Sequence, residues 1–346
     1  MKQKKLLTLL ASICLVLALV ALPFMAACAK PAPTPLPQSI VFGANPTGTL
    51  FYAMGVGLTK VVSDHTPMKV ELFPQGGTVW WPMFETGEVQ YGINVPGDAW
   101  AAYMGTEIYE EPTKGKGFPI RTIMLGAPIQ IVFFVPEDSD IKTILDVKGK
   151  RVVTDYGAFF SSTLSAQTLL ANGGLTFDDV KGVPVPGVAD GIKAIIEGRA
   201  DCALMAVGGA VVEELKAAKG ARGIPIDPSP EAVKKMQEVF AGYFAIKIKP
   251  GPAGITEEIW GLGKDITLYC YEELREDVVY EIVKALWENY EELAPIHPKL
   301  KLWTPDKFAS TRAITPYHPG AIKWYKEKGV WTAELEELQK KLLALK

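Results

Sequence analysis

Between residues 39 and 218 the sequence alternates short apolar segments with helical segments, and this alternation limits the possible fold more than any other feature. The apolar runs at 69–73 and 202–207 are typical of buried strands. The stretch at 162–172 has helical spacing and ends before Gly173, a common helix stop. Strands that alternate with helices indicate parallel sheets covered by helices on both faces. The sequence therefore predicts an α/β fold.

The order of the predicted elements indicates two domains. About 319 residues remain after a leader of 27, which is more than one comfortable core. The segment 122–135 is long enough to cross between domains, and the last third of the chain is mainly helical. We predict domain I at 39–128 plus 262–346 and domain II at 129–261, with hinge strands near 127–133 and 260–268. The predicted strands are 39–43, 69–73, 89–95, 122–135, 151–155 and 202–207, and the predicted helices are 50–64, 79–86, 162–172, 189–197, 209–218, 277–293, 305–310, 319–328 and 333–345.

The N-terminal segment has the layout of a bacterial export signal. Three lysines within the first five residues precede an apolar run from Leu6 to Phe24, and Met25-Ala26-Ala27-Cys28 follows. The small pair before Cys28 resembles a lipobox, so we predict a signal at 1–27, acylation of Cys28, and a proline-spaced linker at 28–38. Simple cleavage and an uncut helix that spans a bilayer are the alternatives. The predicted location is the periplasmic or extracellular membrane face.

The composition excludes several classes of partner. The chain has 36 Lys and Arg against 39 Asp and Glu, a net charge of −3, and loss of the three leader lysines makes it −6. No basic excess indicates nucleic acid. Outside the leader there is no further apolar run of 18 residues. The remaining cysteines, Cys202 and Cys270, are expected to be separate buried thiols, with a disulfide as the alternative.

Small-residue turns follow the predicted strands and open helices, which is where a doubly wound fold holds its ligand. Free amides at a helix start favour an anion, and hydroxyl side chains add donors. Helix capping is the alternative role, for Asp98 in particular. Because neighbours on a helix point about 100° apart, we expect Trp80 or Trp81 to pack inward and the other to face a cleft or solvent. The candidate ligand-binding residues in the first part of the chain are Asn45, Thr47, Thr49, Phe51, Tyr52, Gly77, Thr78, Trp80, Trp81, Asn94 and Asp98.

The turn at 155–163 is the best single candidate for binding an acidic group, through backbone amides and hydroxyls. A well-capped helix is the alternative. Neither GxGxxG nor GxxxxGK[ST] occurs, so neither a dinucleotide nor a P-loop phosphate is indicated. The candidate ligand-binding residues in this part of the chain are Tyr156, Phe159, Phe160, Ser161, Ser162, Thr163, Gly187, Val207 and Gly208.

Six short motifs follow one another along the chain: TGTLFY at 47–52, GGTV at 76–79, TGEVQYGI at 86–93, GKRV at 149–152, AIIEGRAD at 194–201 and HPGAI at 318–322. In order and spacing they resemble the TAXI family, the substrate-binding proteins of tripartite ATP-independent periplasmic (TRAP) transporters. The resemblance covers nearly all of 39–330. It implies a type II periplasmic-binding-protein fold, in which two doubly wound α/β domains joined by crossing hinge strands close over a small organic acid. It also implies membrane permease subunits that use an ion gradient without ATP hydrolysis.

The sequence departs from that family at the expected ligand site. Phe159 and Phe160 stand in a turn that is mostly Gly, Ser and Thr in similar proteins, and Trp80 and Trp81 replace a polar pair. Buried apolar area contributes about 25 cal/mol per Å², so these residues favour a carboxylate with an apolar or aromatic body over glutamate. No arginine lies in the candidate turns, so we expect amide and hydroxyl recognition of the acid.

Features of catalysis are absent from the sequence. The three histidines, His65, His297 and His318, lack metal-site spacing, and we expect His318 to cap or pack. No GxSxG elbow occurs, and paired glutamates at 213–214, 272–273 and 291–292 fit solvated helix faces. We therefore expect no enzyme activity, no cofactor and no metal.

Together these features predict a lipid-tethered, monomeric binding protein that passes an organic acid to TRAP-type permease subunits. A sensory module for a membrane receptor and the binding component of an ATP-driven importer are the alternatives.

Overall fold

The computed structural model describes residues 34–47, 49–157 and 159–346. The chain divides into two units, residues 1–36 and 37–346, and the helices and strands given below lie in the second. The predicted signal and Cys28 lie outside the described residues. In the part of the chain that is described, no helix has both the length and the hydropathy that a bilayer span requires.

Two long antiparallel strands form the centre of the main sheet. They are Ile120–Val135 and Ile259–Tyr271, paired with Leu262 opposite Ile131 and Leu268 opposite Met124. The strands in chain order are β1 Ser39–Ala44, β2 Lys69–Pro74, β3 Tyr91–Asn94, β4 Ile120–Val135, β5 Arg151–Asp155, β6 Lys181–Pro184, β7 Ala203–Ala206, β8 Arg222–Ile224, β9 Phe244–Ile248 and β10 Ile259–Tyr271.

Each end of β4 and β10 carries its own set of neighbouring strands. The sheet order is β2-β1-β3-β10-β4-β7, with β8 on β4 and β9 on β10. β3 pairs with the C-terminal part of β10, whereas β9 pairs with its N-terminal part. β7 and β8 pair with the C-terminal part of β4. The predicted crossing strands are therefore confirmed, and the arrangement is that of a type II periplasmic-binding-protein fold. The exact domain bounds stay a prediction.

The predicted parallel pairing is confirmed for part of the structure, and antiparallel pairing accounts for the rest. β1 is parallel to β2 and β3, and β5 is parallel to β6 in a small second sheet. β10, however, is antiparallel to β3, β4 and β9, and β4 is antiparallel to β7 and β8. β4 and β10 run in opposite directions, so the sheet contains strands of both directions at its centre.

The predicted helices are found at or near their positions, and the structure adds three that were not predicted, Pro96–Met104, Glu110–Thr113 and Pro230–Val239. In the described residues they are α1 Leu50–His65, α2 Gly77–Trp80, α3 Pro82–Thr86, α4 Pro96–Met104, α5 Glu110–Thr113, α6 Phe160–Asn172, α7 Val188–Ile196, α8 Ala210–Lys219, α9 Pro230–Val239, α10 Glu276–Glu288, α11 Pro305–Phe308, α12 Pro319–Glu327 and α13 Ala333–Leu343. Short 3-10 segments occur at Glu107–Tyr109, Ile144–Val147, Phe177–Asp179, Tyr290–Leu293 and Pro298–Leu302.

Two predicted helices are each divided into two segments. The stretch predicted at 79–86 is α2 and α3, and the break falls at Trp81, directly before Pro82, which has no amide proton to continue the first helix. The helix predicted at 277–293 ends at Glu288, and the Asn289 side chain donates to the carbonyl of Ala285 before a 3-10 turn begins. As predicted, the C-terminal helices pack on the first part of the chain, with α10 against α1 and α12. Cys202 and Cys270 are separate buried thiols, as expected.

Candidate functional site: a buried lysine between two helix starts

Asp98 is the acceptor at the centre of one buried polar group. Its Oδ2 accepts from Trp81 Nε1 at 2.9 Å and Asn94 Nδ2 at 2.6 Å, and its Oδ1 accepts from the Tyr109 hydroxyl at 2.8 Å. We call these four residues the Asp98 cluster. The capping alternative for Asp98 was wrong, because Val95 is the N-cap of α4 and Asp98 lies in the first turn, bonded to side chains.

Gly77 makes this arrangement possible. A Cβ at this position would lie 2.5 Å from both Asn94 Nδ2 and Asp98 Oδ2, and 2.8 Å from Trp81 Nε1. Contacts this short exclude any larger side chain. Four candidates from two different turns, Gly77, Trp81, Asn94 and Asp98, therefore lie together.

Burial sets the ionisation of this cluster. It raises the pKa of Asp98, and the three donors and the positive charge of Lys264 oppose that shift. Burial and the neighbouring carboxylate also raise the pKa of the Tyr109 phenol, which therefore stays protonated and donates. The position of Asp98 in the first turn of α4 adds the favourable end of the helix dipole.

Lys264 lies in the middle of β10 and is 4% exposed. Its Nζ donates to Ser161 Oγ at 3.0 Å and to Ser165 Oγ at 3.1 Å, and lies 5.6 Å from the centre of the Tyr243 ring. We call Lys264, Ser161, Ser165 and Tyr243 the Lys264 cluster. An ammonium over an aromatic face is stabilised by the ring quadrupole.

The first turns of α6 present both serines to Lys264. Ser161 and Ser165 are four residues apart and so share one helix face. The Ser165 hydroxyl donates to the Ser161 carbonyl at 2.6 Å, which leaves its oxygen to accept from Lys264. The Tyr243 hydroxyl is 3.3 Å from Ser161 Oγ. The alternative of a well-capped helix was wrong for α6, since its N-cap residue, Phe159, makes no side-chain capping bond.

The charge of Lys264 is sensitive to its surroundings. Burial lowers the pKa of Lys264 to about 7, and the carboxylate of Asp98 opposes this shift. Burial raises the pKa of Tyr243 to about 12, so that group remains a neutral phenol near neutral pH. The site therefore contains an amine that gains or loses a proton in the physiological range, which is typical of functional sites.

The two clusters meet through Gly97 in the first turn of α4. A Cβ on Gly97 would lie 2.7 Å from the Tyr243 hydroxyl oxygen, 2.9 Å from Leu164 Cδ2 and 3.3 Å from Ser161 Oγ. The start of α4 and the start of α6 are thus in close contact above the middle of β10. A turn from the first part of the chain and a turn from the second part therefore lie against each other.

The adjacent indoles are both fully buried, so the expectation that one faces a cleft or solvent was wrong. Trp80 packs on β1 and β3, where a Cβ on Gly43 would lie 2.6 Å from its ring. Trp81 belongs to the Asp98 cluster. Their rings lie 4.0 Å apart between centroids. The polar end of Trp81 is used by a protein carboxylate, so ligand contact by these indoles stays a prediction.

Other candidates have structural partners. The Tyr156 hydroxyl accepts from the Leu204 amide at 3.0 Å inside the core, and Thr163 Oγ1 accepts from the Tyr156 amide at 3.1 Å. Thr49 caps α1 by accepting from the Tyr52 amide at 3.2 Å, as the capping alternative predicted for that turn. None of these bonds reaches the Lys264 cluster.

Phe159 is 49% exposed and lies near the turn that begins α7. A Cβ on Gly187 would be 3.6 Å from its Cε2. The remaining candidates have no polar contact to either cluster among the described residues; Thr47, Thr78 and Gly208 are exposed, Asn45, Phe51, Tyr52, Phe160 and Ser162 are half-buried, and Val207 is buried.

Sequence reasoning missed Lys264, Ser165, Tyr243 and Tyr109. The signal for the first was present, because Lys264 and Asp265 stand side by side in the otherwise apolar strand Ile259–Tyr271. A charge placed in a buried strand is costly unless it is paired, so such a residue has a specific role. Asp265 is paired with Arg312 at 2.6 Å.

The acidic, histidine and cysteine side chains of the described residues were compared with the requirements of a metal site. Within the described ranges, no group of three or more His, Cys, Asp or Glu side chains is placed to hold a metal ion. His318 Nδ1 accepts from the Gly320 amide at 3.1 Å and caps α12, which confirms the capping role.

A family model described as the NMT1-like family matches residues 42–329, which is most of the chain and contains both clusters. The chain belongs to the NMT1-like family. Several solved structures are similar to this NMT1-like protein at low identity. A TctC solute-binding protein from Polaromonas is 14% identical with a TM-score of 0.49, over 90% of this chain and 99% of that chain. The periplasmic aliphatic sulphonate-binding protein SsuA from Escherichia coli is 15% identical with a TM-score of 0.47, over 88% and 92%.

The alkanesulfonate-binding protein SsuA from Xanthomonas axonopodis pv. citri, bound to MOPS, is 12% identical with a TM-score of 0.47, over 88% of this chain and 99% of that chain.

Proposed function

We propose that this protein is an exported solute-binding protein that captures a small organic acid and delivers it to TRAP-type permease subunits. The observation that carries the proposal is Lys264, a buried amine that donates to two serines of α6 and is subject to the charge of Asp98 in the first turn of α4. A buried amine with only neutral hydroxyl partners is a strong attraction for an anionic group.

The proposed acid site lies where the starts of α4 and α6 face each other above β10, and we propose that it opens when the two helix starts separate. Amides at the starts of both helices favour negative charge. Ser161 and Lys264 are the side chains that we propose contact the acid. This changes the sequence-based expectation of recognition by amides and hydroxyls alone, because a cation comes from the hinge strand and not from a turn.

Closure over the ligand is the proposed mechanism. β4 and β10 connect the two sets of strands, and we propose that they act as hinges between domain I at 39–128 plus 262–346 and domain II at 129–261. The close contact at Gly97 then corresponds to the closed arrangement. Hinge closure around a ligand is the usual behaviour of two-domain binding proteins.

We also propose that the acid has an apolar or aromatic body. Phe159 supports this because half of its surface is exposed beside the turn that begins α7. Covering such a side chain with an apolar ligand group is favourable by about 25 cal/mol per Å². Phe160, half-buried at the first position of α6, is a second proposed contact.

The membrane side of the proposal depends on the sequence. The TRAP assignment is supported by the order of the TAXI-like motifs, and tethering through Cys28 is supported by the lipobox-like segment. We propose that the protein acts as a monomer without a cofactor. In the competing hypotheses a receptor, or an ATP-driven importer, receives the closed form.

A ligand screen tests the binding function. Phenylacetate, succinate and the uncharged analogue phenylacetamide are added to the full chain, and the unfolding temperature is followed, since a ligand that binds the folded state raises it. We expect the largest rise with phenylacetate and none with phenylacetamide. Equal shifts for the acid and the amide, or no shift with any acid of a wider carboxylate panel, would refute the proposal.

Uptake measurements test the transporter class. The full chain is expressed with the membrane proteins encoded beside it, and uptake of the labelled acid is measured after collapse of the ion gradient or depletion of ATP. We expect loss on gradient collapse alone. Dependence on ATP would favour the importer alternative, and binding without any uptake would favour the sensory one.

A further inference from the structure

We infer that the organic acid is bound together with one proton, which the amine of Lys264 takes up from solvent and holds against the acid. This rests on the proposed function, because it assigns the charge balance of the same site. In the linked step, acid anion plus neutral Lys264 plus H⁺ becomes an acid anion paired with the Lys264 ammonium, and no other bond forms or breaks.

The geometry of donors supports the inference. A neutral lysine amine has two N–H groups and a lone pair, whereas the ammonium has three N–H groups and no acceptor. Lys264 Nζ already donates to Ser161 Oγ and Ser165 Oγ. The Ser165 hydroxyl hydrogen is committed to the Ser161 carbonyl, so Ser165 can only accept from Lys264.

The Ser161 hydroxyl is not restricted in this way, and it can donate to the lone pair of a neutral amine. A neutral Lys264 would therefore leave the acid anion in a buried site without an opposite charge on the amine, which is costly. The ammonium supplies that charge, and beyond its bonds to the two serines it has a third N–H for an oxyanion. Favourable binding of an oxyanion at this buried position thus depends on protonation of Lys264.

The groups around Lys264 make its proton exchangeable. α4 contributes Asp98, α6 contributes Ser161 and Ser165, and the segment before β9 contributes Tyr243. Among the described residues, Asp98 is the charged group that acts on Lys264, and its carboxylate already accepts from three donors. Burial lowers the pKa of Lys264 to about 7, and a second negative charge from the ligand raises it again.

Specificity follows from this balance. A ligand with one fixed negative charge stabilises the protonated form of Lys264, whereas a neutral isostere does not. A carboxylate and a sulfonate share the necessary chemistry. Because neither ionises between pH 6 and 9, any change in affinity over this range comes from the protein.

The test measures affinity and proton uptake by calorimetry on the full chain, with phenylacetate and phenylmethanesulfonate as probes. The dissociation constant should be constant below about pH 6 and rise tenfold per pH unit well above pH 7. At pH 8 the binding heat should vary with the ionisation heat of the buffer and show uptake of nearly one proton. The proton count needs no variant.

Variants assign the proton to Lys264. Lys264→Met should weaken both probes and abolish the pH dependence of the remaining affinity. His65→Gln removes a histidine at the end of α1 and should retain the dependence. If wild type binds the acids with a constant affinity from pH 6 to 8.5 and no proton uptake, the inference fails while the proposed function stands. If no acid binds at any pH, the proposed function itself fails. Equal pH dependence in Lys264→Met would assign the proton elsewhere and also refute the inference.

Discussion

Gly97→Ala is the most direct test of whether the α4 and α6 contact is the ligand-bound arrangement. The new Cβ would lie 2.7 Å from the Tyr243 hydroxyl oxygen and 2.9 Å from Leu164 Cδ2. Ordinary carbon contacts begin near 3.4 Å, so α4 must move away from Tyr243 and α6 by several tenths of an ångström. Overpacking of this kind typically costs about 1–3 kcal/mol.

The cost should appear in binding more than in folding. Within a helix, alanine is favoured over glycine by about 0.5–1 kcal/mol, so an open form of Gly97→Ala is not destabilised. The penalty falls on the closed arrangement alone. If the ligand binds only that arrangement, a cost of about 1–3 kcal/mol weakens binding by roughly 5-fold to 150-fold.

Two measurements on the same samples separate the effects. Calorimetry with phenylacetate at pH 6 gives the affinity, and urea unfolding without ligand gives the stability. The matched control is Gly76→Ala, where the nearest atom to the new Cβ is 4.0 Å away. An affinity within twofold of wild type in Gly97→Ala would refute the argument that this contact forms on ligand binding.

Four further outcomes are expected. Phe159→Gly should weaken phenylacetate binding by roughly fivefold, because it removes about 1 kcal/mol of free energy from apolar area buried against the ligand. Calorimetry should show that succinate binding is unchanged. Arg312→Ala should destabilise the fold by about 1–3 kcal/mol in urea unfolding, because it leaves the carboxylate of Asp265 buried without its ion pair. The partial exposure of Arg312 limits the loss. A variant as stable as wild type would contradict this expectation. Burial lowers the pKa of His318 to about 4, so the folded state binds fewer protons than the unfolded state between pH 4 and 6.5. The free energy of unfolding should therefore fall by about 1 kcal/mol for each pH unit as the pH falls through that window. His318→Asn can still cap α12 and should make the free energy of unfolding less dependent on pH there. The pKa of Lys264 is also lowered, so the unfolded state binds more protons than the folded state as the pH rises from 7 towards 10. Wild type should therefore gain stability over this range and Lys264→Met should not. Urea unfolding of both proteins at pH 7 and pH 9 measures the difference.

Periodicity alone was sufficient for much of the fold. The long strand near 122–135 and the helix at 162–172 with its stop at Gly173 were predicted within two residues, because apolar spacing and glycine positions act locally. Strand direction was not predictable in this way. The direction of β10 depends on how a chain that has left the first set of strands returns to it, and no local pattern of Ile259–Tyr271 encodes that path.

The site was predicted in part, for a related reason. Asn94, Asp98 and Ser161 stand in turns with a recognisable glycine and hydroxyl composition, so their positions could be inferred. Tyr243 and Ser165 have no such local signal, since they reach the site only through the packing of α6 and of the segment before β9. The expectation that one of Trp80 and Trp81 is open failed because Gly43 leaves room on the sheet for the indole of Trp80, while the indole of Trp81 donates to buried Asp98.

The two faces of β10 are consistent with the two roles that we propose for it, as a hinge strand and as a binding element. Successive side chains on a strand point to opposite faces, so Lys264 and Asp265 lie on different sides of the sheet. Asp265 pairs with Arg312, whose guanidinium lies 4.8 Å from the centre of the Phe244 ring on β9. That face fixes β10 to the C-terminal segment through an ion pair. On the other face, Lys264 has neutral hydroxyl partners. A single strand thereby holds one carboxylate that is neutralised by an ion pair within the protein and one amine for which we propose the ligand as the partner.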